Sequence, residues 1–289
     1  MASNYHIWRR NNVHYEKKGL GDPILLIHNI YPGASHQEFR RNVDYLARTH
    51  TVYAIDLLGF GDSDAPRRRY TARLYIDLIQ DFCREVIRQR TDVVAAGLSC
   101  AYVSQAASED VCLFGYIVFI CPRSEPTGLD LPRWAVPIRH FSLATRGLGS
   151  GFYETVTSSY SLSQYLLGCF HNPKAVTKPL VELVRANARR EGSMYAYAGL
   201  LVGYLDWPLL KSLPKVASRI LLIWGRQARP TPVEHSVRLV AMARRCNLRV
   251  IEEAGAWVHD EQSAQVNRLI EQFTAGEIEE APARKVEIQ

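Results

Sequence analysis

Residues 94–101 read VAAGLSCA, and this stretch decides how the fold of the chain is interpreted. An apolar run leads into a turn of the form Gly97-x-Ser99-x-Ala101, after which a helical pattern begins. A serine raised on a sharp strand-to-helix turn needs small residues two positions away on either side, because larger side chains collide there. The N–H groups at the start of the following helix can bind an oxyanion. The alternative is a serine that only caps a helix, so the surrounding sequence has to distinguish the two.

Short apolar runs recur along the chain on both sides of this turn. They lie at residues 24–28, 52–55, 93–96, 116–121, 220–224 and 248–251. Apolar runs that do not alternate with polar residues are typical of strands covered on both faces, as in a parallel sheet. Helical periodicity fills the segments between them, at residues 38–48, 72–89, 101–108, 232–245 and 261–273. This alternation predicts an α/β fold with a mostly parallel, doubly wound sheet.

One long segment interrupts the alternation. Between Cys121 and Ile220 there are helical patches but no strand signal, and we interpret this segment as a helical cap inserted into the core. The chain opens with two alternating runs over residues 6–17, which predict a β-hairpin that turns at Asn11 and Asn12. Its last residues are charged and poor in apolar side chains, so we expect them to be flexible. The predicted organisation is a core of residues 1–122 and 217–275, a cap of residues 123–216 and a tail of residues 276–289.

The composition excludes several classes of function. Of the 289 residues 47% are hydrophobic, and the net charge of +6 comes from arginines in scattered short groups rather than one stripe. This pattern argues against a nucleic-acid partner. The six cysteines show no C-x-x-C spacing and no secretory leader precedes them, so we predict a reduced, cytoplasmic protein. No apolar run reaches the ~20 residues of an integral membrane segment, and the oligomeric state stays open.

Four further segments resemble the α/β-hydrolase family, in the family's order and spacing. They are ILLIHNIYPGAS at residues 24–35, VYAIDLLGFGDSD at residues 52–64, LLIWG at residues 221–225 and GAWVHDE at residues 255–261. The resemblance covers about residues 10 to 275. It implies the capped hydrolase fold, with Ser99 as candidate nucleophile or polar anchor. It also implies an oxyanion site formed by the backbone N–H groups of Ile30 and Cys100.

The resemblance fails at two positions of the catalytic triad. The family's acid would lie three residues after Gly225, where this chain has Ala228, and its histidine would follow Gly255, where this chain has Ala256. A serine without a base is a negligible nucleophile at neutral pH. Loss of the base and the acid removes about 10⁶ of the rate. We take the two alanines as natural, although substitutions introduced to trap an inactive form would give the same sequence.

Few other residues are placed to replace the missing groups. His259 is the possible substitute base, although a histidine three residues past Ala256 ordinarily packs at the start of the last helix. His28 is expected to orient the oxyanion loop, and Glu125 lies in an ordinary turn. No set of histidines, cysteines and carboxylates has metal-ligand spacing, so we predict no metal site and no cofactor.

Two functional hypotheses follow. The cap is rich in tyrosine and leucine, which predicts a cavity suited to a small apolar molecule. In the first hypothesis the chain is an enzyme acting on such a substrate, with serine hydrolysis weakened or replaced by isomerase, lyase or cyclase chemistry at the oxyanion N–H groups. In the second it is a catalytically silent binding or accessory protein that uses the same pocket. Turnover, or an acyl group trapped on Ser99, favours the first hypothesis, and saturable binding without chemistry favours the second.

Overall fold

A computed structural model describes residues 2–126, 132, 135–145 and 147–279 of the chain. Its eight strands form one sheet in the order β1-β2-β4-β3-β5-β6-β7-β8. Strands β1 and β2 pair antiparallel with each other and β2 pairs antiparallel with β4, whereas all other neighbours are parallel. The strands are β1 Ala2–Trp8, β2 Asn11–Lys18, β3 Asp22–Ile27, β4 His50–Ile55, β5 Thr91–Ala96, β6 Phe114–Ile120, β7 Arg219–Gly225 and β8 Cys246–Ile251.

Helices cover both faces of this sheet. Those of the core are α1 Val43–Leu46, α2 Ala72–Phe82, α3 Ser99–Glu109, α10 His235–Met242, α11 Val258–Glu261 and α12 Ser263–Thr274. Those between β6 and β7 are α4 Ala135–Leu143, α5 Leu148–Val156, α6 Ser159–Cys169, α7 Lys178–Ala188, α8 Ser193–Leu201 and α9 Leu209–Ser212. The predicted fold class is confirmed, since the chain has a mostly parallel sheet with a helical cap inserted late in the sequence.

The continuous apolar runs become the central strands for the expected reason. In β3 every residue from Ile24 to Ile27 is completely buried, so both faces of the strand are covered by helices. Burying four consecutive aliphatic side chains in this way stabilises the fold by about 1.5–3 kcal/mol for each residue. Because β3, β5, β6 and β7 run parallel, they end at the same edge of the sheet, and the loops that follow them meet there.

The opening hairpin is present, but its turn lies two residues earlier than predicted. Strand β1 ends at Trp8 and pairs with Asn11, so the turn consists of Arg9 and Arg10, both with positive φ. Trp8 is buried and its indole N–H donates to Asp81. Because this packing holds Trp8 in the strand, the register follows the buried tryptophan rather than the turn preference of asparagine.

Residues 276–279 are more ordered than expected for a tail. The side chain of Ile278 is buried, and the carbonyl oxygen of Glu279 accepts a hydrogen bond of 2.9 Å from Asn247 in β8. The rest of the predicted tail, residues 280–289, lies outside the described residues. Within the described part of the chain, no helix has the length and apolarity needed to span a bilayer.

A buried carboxylate fixes the loop after β4. Asp56 is inaccessible to solvent and accepts hydrogen bonds from the Nδ1 atoms of His14 (2.7 Å) and His36 (2.9 Å). It also accepts from the backbone N–H groups of His36 and Asp62. These contacts tie the hairpin, the loop after β3 and the loop after β4 together beside the site described next.

Candidate active site

The turn after β5 is centred on Gly97. Strand β5 ends at Ala96, Gly97 has a φ of +54°, and helix α3 begins at Ser99. Within residues 94–101 only Gly97 has a positive φ, which glycine adopts without strain. In a nucleophile elbow the nucleophile occupies the strained position of the strand-to-helix turn. The geometry therefore places that position at Gly97, two residues before the serine that the sequence pattern indicated.

Ser99 occupies the first turn of α3 instead. Its side chain is 0% exposed, and its hydroxyl donates a hydrogen bond of 2.6 Å to the carbonyl oxygen of His28. A nucleophile at Ser99 would have to face the cavity beneath the cap, but Ser99 is not among the residues that line the cavity at this turn. No histidine ring among the described residues hydrogen-bonds its hydroxyl. Ser99 thus ties the helix to the loop after β3.

Two backbone N–H groups converge in front of Gly97. The N–H of Ile30 and the N–H of Leu98 donate to the same atom, the side-chain Oδ1 of Asn29, at 2.8 and 2.9 Å. One N–H from the loop after β3 and one from the residue after the elbow are the usual donors of an oxyanion hole. The structure therefore pairs the predicted donor Ile30 with Leu98 rather than with Cys100. Cys100 lies inside α3, where its thiol contacts the carbonyl oxygen of Ala95.

Asn29 and Gly97 exclude any larger residue at the elbow. A Cβ atom added to Gly97 would lie 2.1 Å from Oδ1 and 2.2 Å from Cγ of Asn29. Real Cβ atoms do not approach other atoms this closely, so a serine side chain cannot share the site with Asn29 in its present position. The amide of Asn29 occupies the space that a nucleophile and its oxyanion would need.

Ala256, at the position where the family's histidine is expected, lies beside this turn. Ala256 lines the same cavity as Gly97, and its N–H donates to the carbonyl oxygen of Cys169 in the cap at 2.7 Å. Ala228 is buried in the loop after β7 and donates its N–H to Gly225. The cap is also anchored by Glu261, which accepts backbone N–H groups from residues 171, 172 and 255. The cap thus closes directly over the loop that carries Ala256.

Little space remains between these groups. The cavity at the turn has a volume of about 30 Å³. That is enough for about one or two water molecules, whereas ligand pockets measure about 300–1,000 Å³. It is lined by Asn29, Glu38, Ala96, Gly97, Cys121, Arg123, Tyr165, Cys169, Pro230, Thr231, Ala256 and Trp257.

A sequence profile described as the alpha/beta hydrolase family matches residues 24–269. The chain belongs to this family. Its sequence relatives include a 2-hydroxy-6-oxo-6-phenylhexa-2,4-dienoate hydrolase of Comamonas testosteroni, 23% identical over 90% of both chains. Another is a 2-hydroxy-6-oxononadienedioate/2-hydroxy-6-oxononatrienedioate hydrolase of Paraburkholderia xenovorans, 25% identical over 91% of this chain and 90% of the relative.

Solved structures share the architecture over nearly the whole chain. A meta-cleavage product hydrolase from Pseudomonas fluorescens superposes with a TM-score of 0.79 and 19% identity, covering 95% of this chain and 98% of that one. A 2-hydroxy-6-oxo-6-phenylhexa-2,4-dienoate hydrolase from Rhodococcus gives a TM-score of 0.75 and 18% identity, with 94% and 98% covered. At these identities the likeness establishes the α/β-hydrolase fold alone.

In this α/β-hydrolase the remaining histidines near the site are neutral and packed. Burial is the main cause that lowers the pKa of His259 to about 3, and the positive charge of Arg40 lowers it further in the same direction. Its ring stacks on Trp257, and its Nε2 lies 3.5 Å from Glu38. His28 donates from Nδ1 to the carbonyl oxygen of Asn29 and accepts at Nε2 from the N–H of Leu57, so it orients the oxyanion loop. His259 makes no hydrogen bond to Ser99 that would let it act as a base.

Glu38 is the titratable group that the sequence did not reveal. It lines the cavity, is buried, and accepts the N–H of Asn29 at 3.0 Å. Burial raises its pKa to about 8. Because it follows a loop and precedes a helical pattern, nothing in its neighbourhood distinguishes it from an exposed glutamate. Glu125, the other acid considered, is exposed.

Two cysteines are also among the residues that line the cavity. Burial raises the pKa values of Cys121 and Cys169 to about 12. Since the thiolate is the reactive form, both are unreactive near neutral pH. Neither replaces a serine nucleophile.

Within the part of the chain that the structure describes, one set of metal-type ligands comes together where none was predicted. Ligand atoms of His14, His36, Asp56 and Asp62 all lie within 4.8 Å of one another. Asp56 already accepts hydrogen bonds from both rings, so the imidazole Nδ1 atoms carry protons directed at the carboxylate. A metal ion would have to displace this satisfied network.

The buried carboxyl of Glu38 makes stability depend on pH. Its folded pKa of about 8 lies above its ordinary value of 4.5, so the folded state retains a proton that the unfolded chain releases. The contribution of Glu38 to the free energy of unfolding is complete below about pH 4.5 and is lost as the pH rises through 8. At pH 9 we expect the free energy of unfolding of Glu38→Gln to exceed that of the parent by on the order of 2–4 kcal/mol. At pH 5 the two values should be nearly equal, and urea unfolding measures both.

The matched control is Glu234→Gln, since Glu234 is exposed. This variant should follow the parent at every pH. Equal alkaline loss of stability in the parent and in Glu38→Gln would contradict the assignment of this pH dependence to Glu38.

Proposed function

We propose that this chain is a catalytically silent α/β-hydrolase. The observation that carries the proposal is the amide of Asn29, whose Oδ1 atom accepts both N–H groups of the oxyanion site. A group already bound there competes with any developing oxyanion. The side chain that would carry the nucleophile is missing from Gly97, and Asn29 occupies its place.

Two further features support the proposal. The positions at which the family's acid and base are expected hold Ala228 and Ala256, and an alanine can supply neither group to a nucleophile. Among the residues that the structure describes, the cavity at the turn measures about 30 Å³, which is too small for a dienoate of the kind named for the relatives. A cavity of this volume holds about one or two water molecules.

The enzymatic alternative requires the oxyanion N–H groups to be free. An isomerase, lyase or cyclase of this fold would stabilise an enolate or a carbonyl oxygen with them, as we considered for Ile30 and Cys100. Here the N–H of Ile30 is bound to Asn29. Such chemistry would therefore need both displacement of Asn29 and opening of the cap, and these requirements favour the silent protein.

The proposal is tested by looking for a reactive serine. We expect the parent protein to remain unlabelled by a fluorophosphonate probe, and to hydrolyse p-nitrophenyl acetate no faster than its Ser99→Ala variant. A meta-cleavage dienoate, followed by the loss of its absorbance, should stay intact with both proteins. Labelling of Ser99, or turnover that Ser99→Ala abolishes, would overturn the proposal.

A further inference from the structure

The first two cap helices, α4 and α5, expose an unusual amount of apolar surface. None of the residues of α4 whose burial is described is buried. Large apolar side chains project into solvent from both helices, with exposed fractions of 61% for Ile138, 68% for Phe141, 83% for Leu148 and 43% for Phe152. We call residues 135–145 and 147–156 the cap hairpin. Apolar surface concentrated in this way marks an interaction site.

The two helices also form an apolar groove between them. It has a volume of about 470 Å³, and its lining is mainly aliphatic and aromatic, with Arg139 and Ser142 as the polar members. This groove is separate from the small cavity at Gly97, with which it shares no lining residue. The hairpin therefore offers a surface distinct from the hydrolase site.

The charge of this segment is mainly positive. From residue 131 to residue 156 the sequence contains three arginines, Arg133, Arg139 and Arg146, and one acid, Glu154. Arg139 is exposed next to Ile138. Exposed aromatic and aliphatic side chains flanked by arginines are the composition of helices that lie in a membrane interface.

A second copy of the chain fits this surface less well. A two-fold contact would place the same patch on both sides, and the net positive charge of residues 131–156, in which Glu154 is the one acid, would then face like charge. Anionic lipid headgroups supply the opposite charge, and the acyl region accepts the apolar side chains.

We infer that the cap hairpin docks on an anionic lipid surface, with its apolar side chains inserted below the headgroups and Arg139 at their level. Binding of this kind is peripheral and reversible. It does not depend on whether the hydrolase site is silent, so the two proposals fail independently.

The test is co-sedimentation of the full chain with lipid vesicles. Vesicles of phosphatidylcholine with about one-third phosphatidylglycerol should bind the protein, and pure phosphatidylcholine vesicles should bind it at least several-fold less. Raising the salt concentration from about 50 to about 500 mM should weaken binding. The variant Phe141→Ser/Leu148→Ser should lose about tenfold or more in partitioning, because it removes two inserted side chains, and Arg139→Glu should lose several-fold on anionic vesicles only.

Leu20→Ser provides the matched control. Leu20 is 87% exposed but lies outside the cap, between β2 and β3, so this variant should bind like the parent. All variants change exposed residues, and thermal melting checks that each is folded. The inference would be overturned if the protein bound neither kind of vesicle. It would also be overturned if Leu20→Ser lost as much vesicle binding as Phe141→Ser/Leu148→Ser. A dimer in solution that Phe141→Ser/Leu148→Ser dissociates, without vesicle binding, would assign the hairpin to a second copy instead.

Discussion

The variant Asn29→Gly/Gly97→Ser/Ala228→Asp/Ala256→His will hydrolyse p-nitrophenyl acetate faster than the parent, by ~10²-fold or more. Asn29→Gly empties the oxyanion site and removes the atoms that a Cβ at position 97 would strike. Gly97→Ser then places a hydroxyl at the elbow, where the positive φ costs about 1–2 kcal/mol. The other two changes supply the base and the acid that orients it.

Three matched variants locate the source of the gain. Replacing Gly97→Ser by Gly97→Ala in the quadruple variant should abolish it, because the nucleophile is lost. Restoring Asn29 should also abolish it, since the elbow side chain no longer fits. Ala228→Asp/Ala256→His alone should leave the rate at the parental value, because the Ser99 hydroxyl is buried on the carbonyl oxygen of His28. A gain in that double variant that depends on Ser99 would contradict the assignment of the elbow to Gly97.

Asp56→Ala will lower the free energy of unfolding by about 3–5 kcal/mol at pH 7. The substitution leaves the ring N–H groups of His14 and His36 without their buried acceptor. Burial raises the pKa of Asp56, but the hydrogen bonds from the two rings outweigh it, and the pKa falls to about 2. The stabilisation is therefore present above about pH 4 and is lost as the pH falls towards 2. Urea unfolding monitored by circular dichroism measures the difference.

Asp44→Ala is the control for this measurement. Asp44 is largely exposed and pairs with Lys18 on the surface, where an ion pair contributes about 0–1 kcal/mol. A loss in Asp56→Ala no larger than that in Asp44→Ala would show that the buried network does not hold the three loops together.

The architecture could be predicted from the sequence because it depends on local patterns. Unbroken apolar runs such as residues 24–28 require a strand covered on both faces, and only a parallel sheet with helices on each side offers that. The long segment without strand signal between Cys121 and Ile220 predicts an insertion in the same way. Ala228 and Ala256 are assigned to the triad positions from their distance to Gly225 and Gly255 in the sequence, and this assignment stays a prediction.

The register of the elbow was decided by tertiary contacts. The sequence fits a turn at either Gly97 or Ser99, because both have small residues around them. Strand β5 pairs with β6 as far as Ala96 and Ile120, and the N–H of Gly97 then donates to the carbonyl oxygen of Ile120. This pairing ends the strand at Ala96 and places the positive φ on the next residue.

The occupation of the site likewise appears only in three dimensions. Asn29 directly follows the apolar run at residues 24–28 in the sequence, but its contact with Leu98 joins residues far apart in the chain. The burial of Glu38 depends on the same packing. Periodicity reports which face of an element is covered, so the sequence by itself determined the fold. Only the tertiary structure decided which side chain fills the oxyanion site, because that depends on where separate loops meet at the edge of the sheet.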